Sequence, residues 1–403
     1  MIALTAFNID LYLPAFPMLQ DELATSAARV QLTLTGTLVG FAVGQLVIGP
    51  LSDAFGRRLP LLAGLTLFLL ASIACAVAPT VEVLIALRVL QGVSVAGASV
   101  VALAVVNDLF DGAGAGRLFA RLILVLGAAP VFAPSIGTYA LQFTSWRGVF
   151  VLLAGLGGVL LVVALTRLPE TLPPARRQAA GVRATARTYR VLLTDRAMLG
   201  LVLIAGLVLA TVISYISGAP FVFQELYGLS TQQFAFALAA IGTAFVIGTQ
   251  LTGQLITRTT PQRLQITGLT GALSGSLALT ALVVTTTGGF PAFLVALCAT
   301  SLFLGITLPN APAMALARHG WAAGSAAALL GFGQFAIAGL WAPMFGSVGL
   351  RADLTIAVAM LSATALALII HLFVVRPVIT MPPVLHHHSD DDDSLAPVGT
   401  RAR

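Results

Sequence analysis

Apolar stretches of about 20 residues alternate with short polar breaks along this chain, and a helix of that length crosses a bilayer core roughly 30 Å thick. The pattern predicts spans at 1 to 17, 30 to 51, 59 to 79, 81 to 107, 118 to 142 and 146 to 166. After a polar stretch from Arg167 to Arg196, six more follow at 198 to 224, 231 to 256, 263 to 287, 290 to 317, 321 to 348 and 352 to 375. This layout predicts an all-α membrane protein with twelve transmembrane helices in two pseudo-symmetric six-helix bundles. The N-terminal bundle takes 1–166, a cytoplasmic linker 167–197, the C-terminal bundle 198–376 and a disordered cytoplasmic tail 377–403. The first span meets the helix-ending Pro14 and Pro17 after only 13 to 16 residues, so it reads as clipped, as if by a start codon assigned too late. No basic n-region or A-x-A-like cleavage site marks it as a signal peptide.

Composition agrees, with 58% apolar and 9% charged residues against about 25% charged in soluble domains. The formal charge of +6 sits almost wholly in loops, and all 21 basic residues are Arg, which points to GC-rich bacterial coding DNA. With residue 1 inside, alternate loops place seventeen Arg on the inner side and only Arg29, Arg147 and Arg351 on the outer side. The positive-inside rule then puts both termini in the cytoplasm of a multi-pass bacterial inner-membrane protein. The linker holds seven Arg with Tyr189 as its only aromatic, and a solvated, topology-anchoring loop explains it better than a nucleic-acid patch. No nucleic-acid partner is expected, and the lipid bilayer is the expected surroundings of a monomer. His386, His387 and His388 followed by Asp390 to Asp393 allow weak metal binding or a plain charged tail, and no metal site is assigned. Cys75 and Cys298 lie in apolar stretches and read as packing residues.

Ionisable side chains inside a span cost a few kcal/mol even on lenient insertion scales, so each is a functional candidate. Two stand out. Asp10 lies seven residues before Pro17 and Arg88 six after Glu82, which puts both about 10 Å below the outer helix ends. At matching depth they can form a fixed ion pair, which seldom beats apolar packing. Alternatively, a carboxylate that exchanges arginine for another environment changes its hold on a proton and couples a gradient to shape. Asn8, Tyr12, Gln91, Tyr215, Asn310 and Gln334 are candidate cavity residues, each equally suited to a helix-to-helix hydrogen bond. The second half offers no charge in mid-span, so proton coupling is expected in the first half.

Between the second and third spans stands Gly49-Pro50-Leu51-Ser52-Asp53-Ala54-Phe55-Gly56-Arg57-Arg58, whose glycines permit a tight turn and whose charges can cluster. It matches in full the G-x-L-x-D-x-x-G-R-R pattern of the major facilitator superfamily, which the chain resembles from about residue 7 to residue 376. The resemblance implies that Asp53, Arg57 and Arg58, with Asp108 at the end of the fourth helix, latch the halves in the outward-open state. The second half keeps only Gly253 and Leu255 of that pattern, with Thr257 in place of the Asp, so an asymmetric latch is expected. Asp10-Leu11-Tyr12-Leu13-Pro14 with Pro17, and Arg88-Val89-Leu90-Gln91-Gly92, resemble the first- and fourth-helix signatures of twelve-helix drug:proton antiporters. Pro130, Pro134 and Gly137 resemble the fifth-helix antiporter motif, although Ala129, Ala133 and Thr138 replace its usual glycines.

Trp146-Arg147, Pro169-Glu170-Thr171-Leu172, Tyr215 to Phe221, Leu308-Pro309-Asn310, Gly324-Ser325-Ala326 and Leu330-Gly331 are similar to the Bcr/CflA group of bicyclomycin and chloramphenicol exporters. That likeness adds Phe221 to the candidate cavity. It implies export of a small drug-like molecule in exchange for protons, with the proton gradient as energy source and no cofactor. Uptake of a metabolite is the alternative within transport. An intramembrane enzyme lacks support, because His319 and His371 stand isolated near helix ends and no catalytic cluster recurs at ligand spacing. A scaffold or sensor would not need an Asp and an Arg at matched depth. No Gly-x-x-x-x-Gly-Lys-Ser/Thr sequence supports ATP as the energy source.

Overall fold

The computed structural model describes residues 2–109, 132–173, 177, 182–256, 258–319, 322–346 and 351–377. They are helical nearly throughout, with no strand among them. In the first half the elements are α1 (Ile2–Asp10), α2 (Phe16–Glu22), α3 (Ala27–Phe55), α4 (Arg58–Ala76), α5 (Val81–Leu109), α6 (132–141) and α7 (Trp146–Arg167). A short helix, α8 (Val182–Thr194), precedes the second half. That half comprises α9 (Arg196–Ala219), α10 (Thr231–Leu255), α11 (Pro261–Thr285), α12 (Gly289–Thr307), α13 (Asn310–Arg318), α14 (Ala323–Gly346) and α15 (Ala352–Ile370). Ten described helical stretches are long and apolar enough to cross a membrane. The segment from α1 to α2 and the helix α6 correspond to the other two predicted spans.

The boundaries correct the sequence reading in three places. The first segment does not stop at its prolines. α1 ends at Asp10, a 3-10 turn follows at Leu13–Ala15, and α2 carries the segment on to Glu22. Pro14 and Pro17 stand at the starts of the two new turns, where a missing N–H costs nothing. The predicted tenth span is likewise two helices, parted at Leu308-Pro309 between α12 and α13. The linker, expected to be a plain solvated loop, contains α8.

Helix starts follow their capping residues. Ser26 caps α3, Ser230 and Gln233 form a reciprocal capping box on α10, Thr260 caps α11, and the Asp195 carboxylate caps α9. Lipid offers no hydrophobic reward for helix association, so close packing of small residues must supply it. Here the two halves use one device. A Cβ on Gly40 would strike the Val89 carbonyl, and one on Gly92 the Thr37 carbonyl, so α3 and α5 meet backbone to backbone. Between α10 and α12, Gly248 faces the Leu302 carbonyl and Gly305 the Phe245 carbonyl. In each pair every glycine opposes the carbonyl three residues before its partner, a repeat that aligns Gly40 with Gly248 and Gly92 with Gly305. The outer surface is apolar, with Leu70, Ile73, Val159, Phe236, Val295 and Phe373 exposed, as a lipid-facing wall requires.

The halves meet along α3 and α14. Gly339 packs on Leu38 and Thr35, the Phe41 and Phe335 rings lie 4.5 Å apart between centroids, and Gly331 abuts Gln45. Nearer the end that bears Arg29, Arg147 and Arg351, Gln31 Nε2 donates to the Ser217 carbonyl at 3.5 Å, and the Phe16 and Phe221 rings are 6.1 Å apart. The seam is therefore closed toward the arginine-poor end.

Candidate functional site

Arg88 is wholly buried (0% exposed) on α5. Its Nη1 donates to Asn8 Oδ1 at 2.9 Å and to Gln91 Oε1 at 2.5 Å, and its Nη2 donates to the Asn8 carbonyl at 2.9 Å. The guanidinium lies over the Tyr12 ring, 4.1 Å from the centroid, with the Phe150 ring at 5.5 Å. Gln91 is itself oriented by donating to Ser72 Oγ at 2.7 Å, and Ser72 in turn donates to the Phe68 carbonyl. Tyr12 is held by the Thr33 hydroxyl at 3.1 Å. Charge-assisted bonds are worth about 1.5–3 kcal/mol each and a desolvated cation over an aromatic face about 2 kcal/mol, enough to offset the few kcal/mol that burying the charge costs. Among the described residues no carboxylate joins this cage. Arg88 Nε and Asn8 Nδ2 are buried without a partner.

Asp10 is the last residue of α1, beside the break at Leu11 and Tyr12, and only 4% exposed. The sequence reading put it level with Arg88, and the fixed ion pair that this allowed is not formed. Successive helical residues turn about 100°, so Asn8 and Asp10 point roughly 200° apart. Asn8 takes the face toward Arg88, which leaves Asp10 facing elsewhere. It lies within electrostatic reach of Tyr215 in the second half, and no hydrogen bond or ion pair joins it to any described residue. Gly137 on α6 packs against the Leu11 carbonyl, where a Cβ would collide with the backbone. Two of the antiporter-motif positions, Pro134 and Gly137, are thus buried on a helix that presses on the break next to Asp10. Pro130 lies outside the described residues.

Several of the candidate cavity residues are engaged by neighbours in their own bundle. Asn8, Tyr12 and Gln91 are committed to Arg88, and Asn310 Nδ2, at the start of α13, donates to the Ile306 carbonyl of α12 at 2.7 Å, across the Leu308-Pro309 break. Gln334 is half-buried on α14. Tyr215 is buried, its hydroxyl directed at Ser301 without closing a hydrogen bond of normal geometry. Phe221 alone lines a described inter-bundle cavity, of about 130 Å³, with Ala28, Gln31, Ser217, Thr355 and Ala359. That cavity sits at the closed, arginine-poor end, too small for a drug-sized molecule.

At the arginine-rich end three of the predicted latch residues, Gly56, Arg57 and Arg58, meet Glu170, which the charge reading did not single out. Gly49 faces α5 loosely, and Gly56 ends α3 at φ +92°, a conformation that suits only glycine. Glu170 Oε1 accepts the Arg57 N–H at 2.8 Å and Oε2 the Arg58 N–H at 3.3 Å, while Arg177 lies 3.7 Å away. Arg57 Nη1 donates to Ser52 Oγ at 2.6 Å, and Arg58 Nη2 to the Leu165 carbonyl. Partial burial would raise the Glu170 pKa, but the Leu172, Arg57 and Arg58 N–H groups and Arg177 outweigh it and hold the carboxyl below its usual range. A cue was available in the sequence, since Pro169-Glu170-Thr171 is a carboxylate just past a helix end. Asp53 and Asp108 occupy the last turns of α3 and α5, and their side chains are outside those described.

His319, read from sequence as isolated, is paired. Its Nε2 lies 2.9 Å from Asp195 Oδ2, which also accepts from Arg318 Nε at 2.9 Å, and its Nδ1 lies 3.0 Å from the Ala315 carbonyl. Desolvation acting on Asp195 is outweighed by Arg318, the Ala197 N–H and His319, so its pKa is lowered. His371 is buried, with neither ring nitrogen partnered. At the opposite end each arginine assigned to the outer side has a carboxylate. Arg29 pairs with Glu82, Arg147 with Glu22, and Arg351 with Asp353 at 2.6 Å. Glu22 also accepts from Trp146 Nε1 at 2.6 Å.

Comparison with known proteins gives this geometry a setting. A family model described as Major Facilitator Superfamily matches residues 1–343. The chain is 34% identical over 344 residues to the uncharacterized MFS-type transporter YdgK of Bacillus subtilis, covering 84% of this chain and 85% of that protein. It is 28% identical over 350 residues to a bicyclomycin resistance protein homolog of Haemophilus influenzae, covering 86% of each. The crystal structure of a D-xylose-proton symporter superposes with a TM-score of 0.70 over 93% of this chain and 95% of that one, at 16% identity, a likeness of fold alone.

Proposed function

The chain belongs to the Major Facilitator Superfamily, and from that premise we propose that it exports a small drug-like molecule, bicyclomycin- or chloramphenicol-like, in exchange for protons across a bacterial inner membrane. The observation that carries this reading is Asp10, a buried carboxylate at a helix break with no partner among the described residues and with the second bundle in electrostatic reach. A group so placed changes its surroundings whenever the bundles rock against one another, which is how alternating access proceeds around a site near the midplane. Arg88 stays within the first bundle as a fixed cation, held by Asn8, Gln91 and the Tyr12 ring. It sets the field in which Asp10 takes up and releases H⁺. The resistance named for the Haemophilus influenzae relative supports an antibiotic cargo and outward transport. With the arginine-rich face in the cytoplasm, the contacts that close the seam at the arginine-poor end shut it toward the outside.

In this reading Glu170, Arg57 and Arg58 belong to the conformational latch with Asp53 and Asp108, and Gly137 keeps α6 close to the break that carries Asp10. No group from outside the chain is needed beyond cargo and protons. The test is a bicyclomycin and chloramphenicol susceptibility panel in a pump-deficient host, followed by drug-driven proton release from purified protein. Wild type should raise resistance and release protons on drug addition. Asp10→Asn should insert and fold, because an amide is cheaper to bury than a carboxylate, and should do neither. Normal proton release from Asp10→Asn would sink the proposal.

A further inference from the structure

The linker helix α8 has a face that the export reading does not use. At about 100° per residue, Arg187, Arg190 and Thr194 fall within an arc of roughly 60°. Leu192, on the opposite side, is fully buried in the second bundle's apolar cluster with Met198 and Leu201, and the half-buried Tyr189 packs against it. Because the apolar face is spent on α9 and α14, it is not available to lie in lipid, as an interfacial amphipathic helix would. Arg187 and Arg190 are exposed, and neither pairs with a carboxylate among the described residues.

The chain carries a complementary block. Asp390 to Asp393 are four consecutive carboxylates, the only such run in the sequence, and they follow Pro377 by thirteen residues. The end of the last span is already beside α8. Val375 packs on Gly200, six residues past the end of α8, and shares one apolar cluster with Leu192. Thirteen residues reach at most about 45 Å, whereas α8, with 13 residues, is only about 20 Å long, so the acidic run reaches every turn of the arginine face. A tether of this length presents the run at an effective concentration on the order of millimolar, which makes even a weak charge pairing appreciable.

We propose that the arginine face of α8 is the docking surface for this chain's own acidic run, Asp390 to Asp393. Docking ties the C-terminal tail to the linker between the bundles, independently of what the bundles carry. Arg401, Arg403 and the His386–His388 tract flank the run and do not cancel it at neutral pH.

The experiment uses full-length protein with Cys75 and Cys298 replaced by Ala and spin labels at Thr194→Cys and Ser389→Cys, in phosphatidylcholine nanodiscs at about 0.1 M salt. A short inter-label population is expected. Neutralising the four aspartates to Asn should remove most of it, and so should about 1 M salt, which cuts the screening length from about 10 to about 3 Å. Exchanging charges, with Arg187→Asp and Arg190→Asp joined to Asp391→Arg and Asp392→Arg, should restore it. A distribution indifferent to the four Asn substitutions overturns the proposal. So does a short population that is absent in neutral lipid, or one that the charge exchange fails to restore.

Discussion

The two bundles share a skeleton and differ in what they bury. Gly40 with Gly92 and Gly248 with Gly305 make the same reciprocal backbone contact, and the register they set aligns Arg88 with Ser301 and Gln91 with Leu304. Where the first bundle holds a caged guanidinium, the second holds an unpartnered hydroxyl and a leucine. Close helix approach depends on the absence of a side chain, a requirement both repeats keep. A buried charge depends on a whole set of acceptors, which only one bundle possesses. The repeat conserves geometry while the chemistry is free to diverge.

The largest expected effect tests the shared part. Gly92→Leu and Gly305→Leu should each prevent close packing, costing at least the 1–3 kcal/mol of an overpacked site, because the opposing atom is a backbone carbonyl that cannot turn aside. Thermal unfolding in detergent should show comparable losses for both. A large loss in one bundle only would break the equivalence. Next comes the part that differs. Arg88→Ala should lower transport by about tenfold or more between about pH 6 and 8, with only partial recovery in Arg88→Lys, since an ammonium cannot reproduce the fork on Asn8 and Gln91. Ser301→Ala, at the equivalent position, should keep far more transport than Arg88→Ala and lose little stability, because its hydroxyl, though near that of Tyr215, closes no hydrogen bond of normal geometry. Equal transport defects at both positions would contradict a single coupling bundle.

The smallest effect concerns the arginine-rich end. Glu170→Gln should lower stability by less than about 1 kcal/mol, since solvent screens the contact. The folded state lowers the Glu170 pKa, so its contribution is full above the ordinary carboxylate value near 4.3 and is lost as pH falls through the lowered folded value. The gap between wild type and Glu170→Gln in thermal scans should therefore close only on acidification below that range. A gap that instead closes toward alkaline pH would mean that the Arg57 and Arg58 N–H groups are not what holds the carboxylate.

Much of this was legible in one dimension. Span positions and the six-and-six division depend on transfer free energies that add residue by residue. The sequence also singled out Asp10 and Arg88, because a charge in an apolar run is conspicuous without any neighbour. Their relation was not legible. Depth can be counted from a helix end, but facing depends on a 100° turn per residue and on which helix lies alongside, so Asn8 rather than Asp10 meets Arg88. The same limit hid the meeting of Glu170 with Arg57 and of Asp195 with His319, each pair more than a hundred residues apart in the chain. It also misjudged Pro14 and Pro17, which end a helix when they stand in its interior and here stand in the first turn of a new helical segment, where the missing N–H costs nothing. Sequence alone determined which segments enter the bilayer and which charges are out of place there. Tertiary structure alone decided which groups those charges meet, since hydrogen bonds reach about 3 Å and only packing brings distant residues that close.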